Sequence, residues 1–269
     1  MSEEEKVTYR NLTISVCYDE DSENPREWDN VVTFVCGHKR YDLGDRQDVE
    51  RCIDELFNEY VHPGDIIDYF VSERGAKFID GEEEDYSDRF LEYTATYGYG
   101  QITRHIDADS SRSDDEIAAE IEDELSKSEK MELIEATGEV VILPISMYEH
   151  GGISLWIGST SGHPDAQWDC STIGFAYVEK NTAEKEGMLD PGETWNHDWK
   201  TWAYDMMEAE MEIYDKYVQG EVYGYMVEDG DGGRASDVLF GHSGFYDKEK
   251  MLEEAKADID AYLQKAQLN

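Results

Sequence analysis

Apolar and polar residues alternate through Leu12–Tyr18, the period of a strand with one buried face. A polar turn at 19–25 and the triplet Trp28-Asp29-Asn30 lead into a β-rich run at 31–36. From Val49 the period changes. Val49, Cys52, Ile53, Leu56, Phe57 and Tyr60 recur at helical spacing, which predicts a helix starting near Asp45 or Asp48 and ending at His62-Pro63-Gly64. Residues 66–71 fit a short strand or a helix. Ser113-Asp114-Asp115-Glu116 is a capping box opening a helix with Ile117, Ile121 and Leu125 on one face. Residues 140–146 form a buried-strand run, followed by β-like segments at 153–157 and 174–178 across a polar loop, 158–167.

The C-terminal third predicts two long helices around a hairpin. Trp195, Trp199, Trp202, Met206, Ala209 and Ile213 form a helical stripe, and Gly220 stands where a terminating glycine belongs. Residues 222–227 and 238–240 flank Asp229-Gly230-Asp231-Gly232-Gly233 as a hairpin. A last helix from about Asp247 turns Leu252, Ala255, Ile259 and Tyr262 inward. Strands and helices follow in mixed order without regular βαβ alternation. That pattern predicts an α+β fold with a mixed, mainly antiparallel sheet, packed helices and an acidic inserted segment. The expected organisation is a β-β-α unit at 1–64 and an acidic elaboration or subdomain at 65–139. Residues 140–269 then supply the central sheet with two long helices, packed with 1–64 as one domain.

Charge changes this picture most. The 269 residues carry 64 acids against 23 bases, a formal net charge of −41, while six Trp, eighteen Tyr and eight Phe mark a chain that folds. A basic nucleic-acid groove is excluded over most of the surface. Solubility, a halophilic origin, divalent-cation binding and imitation of nucleic acid all compete to explain the excess; thirteen Lys against ten Arg gives no sign of halophilic selection against lysine. A compact chain of this mass exposes about 12,000 Å², or about one net charge per 290 Å². Duplex DNA carries about one per 110 Å². A mimic must therefore concentrate its acids. The richest runs are Glu82, Glu83, Glu84 and Asp85; Asp114, Asp115 and Glu116; Glu122, Asp123 and Glu124; and Glu208, Glu212 and Asp215 on the outer side of the long helix beside Glu210. These are the expected partner-binding residues.

Other chemistry is sparse. Cys17, Cys36, Cys52 and Cys170 show no CxxC spacing and sit in or beside apolar runs, as buried thiols of a cytosolic protein do. The acidic start, 1–6, is unlike a signal peptide, and the longest aliphatic run is too short to cross a membrane. Asp229-Gly-Asp231 begins like a calcium loop, but Arg234 stands where that loop needs Gly and Phe240 where it needs Glu. Asp107-Ala-Asp109 fails similarly. Glu149, His150, His163 and Asp165 lack paired metal-ligand spacing. No metal and no cofactor are expected. Trp28-Asp29 and Trp168-Asp169 each precede a β-like run, with His38 and His150 near the strand ends. They fit two structural turns, or one cleft built from Trp28, Asp29, His38, His150, Trp168 and Asp169.

Three stretches resemble a family of acidic proteins of unassigned function encoded by bacteriophages and mobile elements. They are PREWDNVVTFVCGHKRYDLGD (25–45), ILPISMYEHGGIS with WDCSTIGFAYV (142–154 and 168–178), and MEAEMEIYDKYVQGEVYGYMVED (207–229). Gly151, and Cys170-Ser171-Thr172, stand where that family has Ser and a Ser-Gly pair. The resemblance implies a mobile-element origin and a host-directed accessory role. Joined to the charge, it yields an expectation: an acidic protein of the host cytoplasm that binds and inhibits a host nucleic-acid-handling or defence protein (restriction, CRISPR or other) by DNA mimicry. No direct nucleic-acid or membrane binding is expected, and a homo-oligomer is compatible. The alternatives are a small hydrolase-like enzyme using the His/Asp/Trp cleft and an acidic oligomeric structural protein.

Overall fold

The computed structural model describes residues 5–80, 89–97, 100–161, 168–186, 198–230 and 237–267. These form an α+β fold with strands in three sheets. The chain divides into two compact units, one of residues 1–32, 144–174 and 204–269, the other of 33–143 and 175–203. These units do not follow the boundaries expected at 64/65 and 139/140.

In the first unit, β1 (Lys6–Tyr9), β2 (Leu12–Tyr18), β10 (Tyr223–Asp229) and β11 (Asp237–Phe245) make an antiparallel sheet in the order β1-β2-β10-β11. Leu12, Ile14, Val16, Tyr225 and Val227 pack on Met251, Ala255 and Ile259 of α7 (Lys248–Gln267). The expected inward residue Tyr262 is instead 40% exposed, against the ring of Phe240. Strand β2 was expected to be half-buried, yet Thr13 and Ser15 are buried too. Their hydroxyls donate to the Gly230 carbonyl at 2.8 Å and to Glu228 Oε2 at 3.2 Å, so the polar face enters the interior with its hydrogen bonds made. The expected hairpin is present as β10 and β11, and residues 231–236 of its connection lie outside the described ones.

In the second unit, β3 (Thr33–Cys36) precedes α1 (Val49–Tyr60), whose N-cap is Asp48 and whose Cys52, Ile53, Leu56 and Phe57 are buried. His62-Pro63-Gly64 closes that helix and also opens another. Pro63 is the first residue of α2 (Pro63–Ser72), a position where its missing N–H costs nothing. Strands β4 (Lys77–Asp80), β5 (Arg89–Tyr97) and β6 (Gly100–Asp107) form an antiparallel sheet. Its Leu91, Tyr93 and Ile106 join one core with α1, α2, α3 (Asp114–Glu122) and α4 (Lys127–Ala136). The Ser113 capping box forms as expected, and a second, unforeseen one at Ser126 opens α4. Gly44 turns the chain after β3 at φ +70°, with the Phe34 carbonyl 2.7 Å from where a Cβ would sit. Asp45 accepts from Phe34 N–H at 2.7 Å and closes that turn.

The remaining long elements are β7 (Val140–Glu149), β9 (Cys170–Glu179) and α6 (Trp199–Gln219). With β8 (Ile153–Ile157) the third sheet is ordered β3-β9-β7-β8. A short helix, α5 (Lys180–Glu186), follows β9. On α6 the fully buried residues are Ala203, Met207, Met211 and Tyr214. The expected stripe of Trp199, Trp202, Met206, Ala209 and Ile213 is half-buried or exposed, and Trp195 lies outside the described residues. The core face is thus turned by one residue, about 100°.

Candidate functional site

Several acids are part of the fold's own machinery. The guanidinium of Arg26 donates to Glu210 Oε2 at 2.7 Å and to the Val32 carbonyl at 2.5 Å. The other oxygen of Glu210 accepts from the N–H groups of Val31 and Val32, at 2.9 and 3.2 Å. Both side chains are nearly out of water, at 4% and 12% exposure. This clamp fixes the loop after the 3-10 turn Pro25–Glu27, where Asn30 also donates to the Pro25 carbonyl at 2.8 Å. Five residues further along α6, Asp215 accepts from Leu155 N–H at 2.6 Å and from Gln219 at 2.7 Å. Leu155 belongs to β8, which ends its sheet, so Asp215 caps an otherwise open strand edge. Burial pushes the Asp215 carboxyl above its ordinary value, against the pull of the Leu155, Ser154 and Gln219 donors. Asp215 is therefore not the free outer acid expected of it. Glu208 and Glu212 are exposed, Glu212 pairing with Lys216 at 2.8 Å.

The acidic segment divides the same way. Arg74 grips both oxygens of Glu129, with the Nε contact at 2.7 Å, and donates to the Glu124 carbonyl at 3.2 Å. Burial pushes the Glu129 carboxyl up, but Arg74 and the Ser126 donors hold it, on balance, below its ordinary value. Glu124 pairs with Arg104 at 3.3 Å, Glu122 with Lys130 at 3.3 Å, and Glu120 with Arg112 at 2.8 Å. Glu116 serves the capping box, accepting from Ser113 N–H at 3.0 Å. Asp114, Asp115 and Asp123 remain, all three exposed and without an ion pair or side-chain hydrogen bond among the described residues. Glu82, Glu83, Glu84 and Asp85 lie outside the described residues. Over 17,140 Å² of accessible surface, the net −41 averages about one charge per 420 Å², roughly a quarter of the duplex value.

Of the six cleft residues, one pair meets by contact. His150 Nδ1 lies 3.3 Å from Asp169 Oδ2, at the end of β7 and the start of β9, where Glu149 N–H donates to the Asp169 carbonyl at 2.9 Å. Trp168, next in the chain, is 84% exposed. Trp28 is 44% exposed and edge-on to Tyr246, their centroids 5.9 Å apart. Asp29 is exposed. His38 stacks on Tyr41 at 5.1 Å and accepts from Arg40 N–H at 3.3 Å. His163 and Asp165 lie outside the described residues. Among the described residues no group of three or more His, Cys, Asp or Glu side chains could hold a metal. A cavity of about 480 Å³ is lined by Arg74, Thr94, Gln101, Glu124, Ser126 and Glu129, and its guanidinium already binds Glu129. The Cys36 and Cys52 side chains are buried, and Cys17 and Cys170 are partly exposed. No helix among the described residues is long and apolar enough to cross a membrane.

No family model matches the chain, and no curated protein or solved structure matches it either. The Arg26–Glu210 clamp went unread in the sequence because its partners are 184 residues apart. One signal was available: Glu210 stands three residues after Met207 and four before Tyr214, on the buried side of α6.

Proposed function

We propose that this chain is a binding protein whose carboxylates occupy the phosphate-binding surface of a basic host partner, a nucleic-acid-handling or defence protein of the restriction or CRISPR kind. The supporting observation is that Asp114 and Asp115, in the first turn of the capped helix α3, and Asp123 at its C-cap are exposed with no cation partner among the described residues. Carboxylates so presented can accept charge-assisted hydrogen bonds from Arg and Lys as phosphate oxygens do. Glu116, Glu122 and Glu124 are tied to the cap and to neighbouring cations, and Glu208 and Glu212 of α6 are separately exposed.

The test is competition. The chain, immobilised and offered purified restriction and CRISPR nucleases at low salt, should retain its partner. Duplex DNA or raised salt should release it, because both compete for the same Coulombic contacts. The variant Asp114→Asn/Asp115→Asn/Asp123→Lys should weaken capture, mainly through slower association. Asparagine is chosen at 114 and 115 because lysine in a first helical turn would oppose the helix dipole. Capture that neither DNA nor salt disturbs would sink the reading.

A further inference from the structure

Among the described residues Trp168 is the most exposed of the large apolar side chains, at 84%. Its neighbour Asp169 is fixed twice, by the Glu149 N–H on its carbonyl and by His150 on its Oδ2. The second carboxylate oxygen, Oδ1, has no partner among the described residues. Residues 144–174 contain three acids, Glu149, Asp165 and Asp169, and no Lys or Arg at all. An exposed indole and a held carboxylate on consecutive residues, in a stretch without Lys or Arg, are complementary to one side chain above others. A guanidinium is planar, stacks on indole and donates in a fixed fork to a carboxylate. We propose that Trp168 and Asp169 anchor an arginine of the basic partner, the guanidinium lying on the indole and donating to Asp169 Oδ1.

This rests on the reading that the partner is basic, and it shifts the binding hot spot from the acidic helix to the strand ends. Tryptophan and arginine are the side chains most enriched at such centres, whereas dispersed surface charges act on encounter. No contact among the described residues accounts for an indole held in water here. A partner does.

The full chain, labelled with ¹⁵N, reports directly through the Trp168 indole N–H signal, assigned by its loss in Trp168→Phe. Synthetic peptides of alternating Arg and Gly, and of Lys and Gly, are the probes. The arginine peptide should shift that signal and bind more tightly than the lysine peptide. Trp168→Ala should weaken arginine-peptide binding about five- to thirtyfold. Trp168→Phe should lose less, and Asp169→Asn should lower the preference for arginine. The thermal midpoint of Trp168→Ala should match the parent, since the side chain is exposed; Trp168→Phe and Asp169→Asn carry the test if it does not. Salt-sensitive arginine-peptide binding that is unchanged in Trp168→Ala overturns the anchor and leaves the acidic-surface reading standing. Equal affinity for the two peptides overturns the arginine assignment. A Trp168 shift that follows protein concentration without peptide would identify a second copy as the occupant instead. Failure of both peptides to bind at low salt overturns this inference together with the reading beneath it.

Discussion

Helices α3 and α6 look alike in composition, each acidic and amphipathic, but they use their carboxylates in opposite ways. On α6, Glu210 and Asp215 point at backbone N–H groups of Val31, Val32 and Leu155 and are withdrawn from water. On α3, Glu116 is tied to its own cap while Asp114 and Asp115 face solvent. The difference teaches that an acid's role is set by what donates to it. Charge totals cannot separate a clamp from a display.

Substitutions can break this contrast, starting with the largest effect. Glu210→Ala removes a carboxylate from the buried Arg26 guanidinium and the acceptor of two N–H groups, and should cost about 3–5 kcal/mol in urea unfolding. A loss below about 1 kcal/mol, the scale of a surface pair, would mean that the clamp is dispensable. Asp215→Ala should cost about 1–3 kcal/mol, the scale of orphaning a buried donor, here Leu155 N–H. Asp215→Asn keeps an acceptor and should cost less. Its sign with pH is distinctive. A carboxyl raised by burial contributes fully below its unfolded value, and that contribution is lost as pH rises through its folded value, so Asn should remove that slope. Glu129 runs the other way. Held below its ordinary value, it contributes above the unfolded value and loses this as pH falls through the folded one. Glu129→Gln should therefore flatten the acid limb of a stability–pH curve. At the small end, Asp123→Asn on α3 should stay within about 0.5 kcal/mol of the parent in the same urea assay.

Scarce bases explain a further habit of the molecule. Tyr60 donates to Glu179 at 2.5 Å, Tyr69 to Glu132 at 3.1 Å and Tyr225 to Asp258 at 2.6 Å. Burial first, then the neighbouring carboxylate, pushes the Tyr69 phenol up to about 12. With 23 Lys and Arg for 64 acids, neutral hydroxyls take a share in satisfying the carboxylates. Tyr225→Phe should cost about 1.5–3 kcal/mol in the same assay, the scale of a hydrogen bond to a charged group.

How much could be read in advance depended on the range of the interaction. Strand β2 and helix α1 were legible because one period ran unbroken, and Asp48 caps α1 within the same few residues. The sheet β4-β5-β6 was not, because β4 is exposed along its whole length and Leu91, Tyr93 and Ile106 are too few to mark a period. The face of α6 was misread because Trp199, Trp202 and Met206 and Ala203, Met207 and Met211 form adjoining apolar stripes. Only contacts elsewhere choose between them. His150 stands just past β7 and Asp169 just before β9; the sequence marked both residues but not their pairing. The Glu210 clamp required the fold.

The β2–β10 ladder has a consequence for synthesis. Leu12 faces Asp229 and Tyr18 faces Tyr223, so β2 leaves the ribosome more than 200 residues before its partner. At ordinary translation rates that is a wait of about 10–40 s. The second unit's core from α1 to α4 is closed by then, whereas Ile14 and Val16 still lack both β10 and α7. During that interval the nascent chain carries an apolar strand with an unpaired edge, and a holding chaperone that shields residues 12–18 would raise the yield of folded protein.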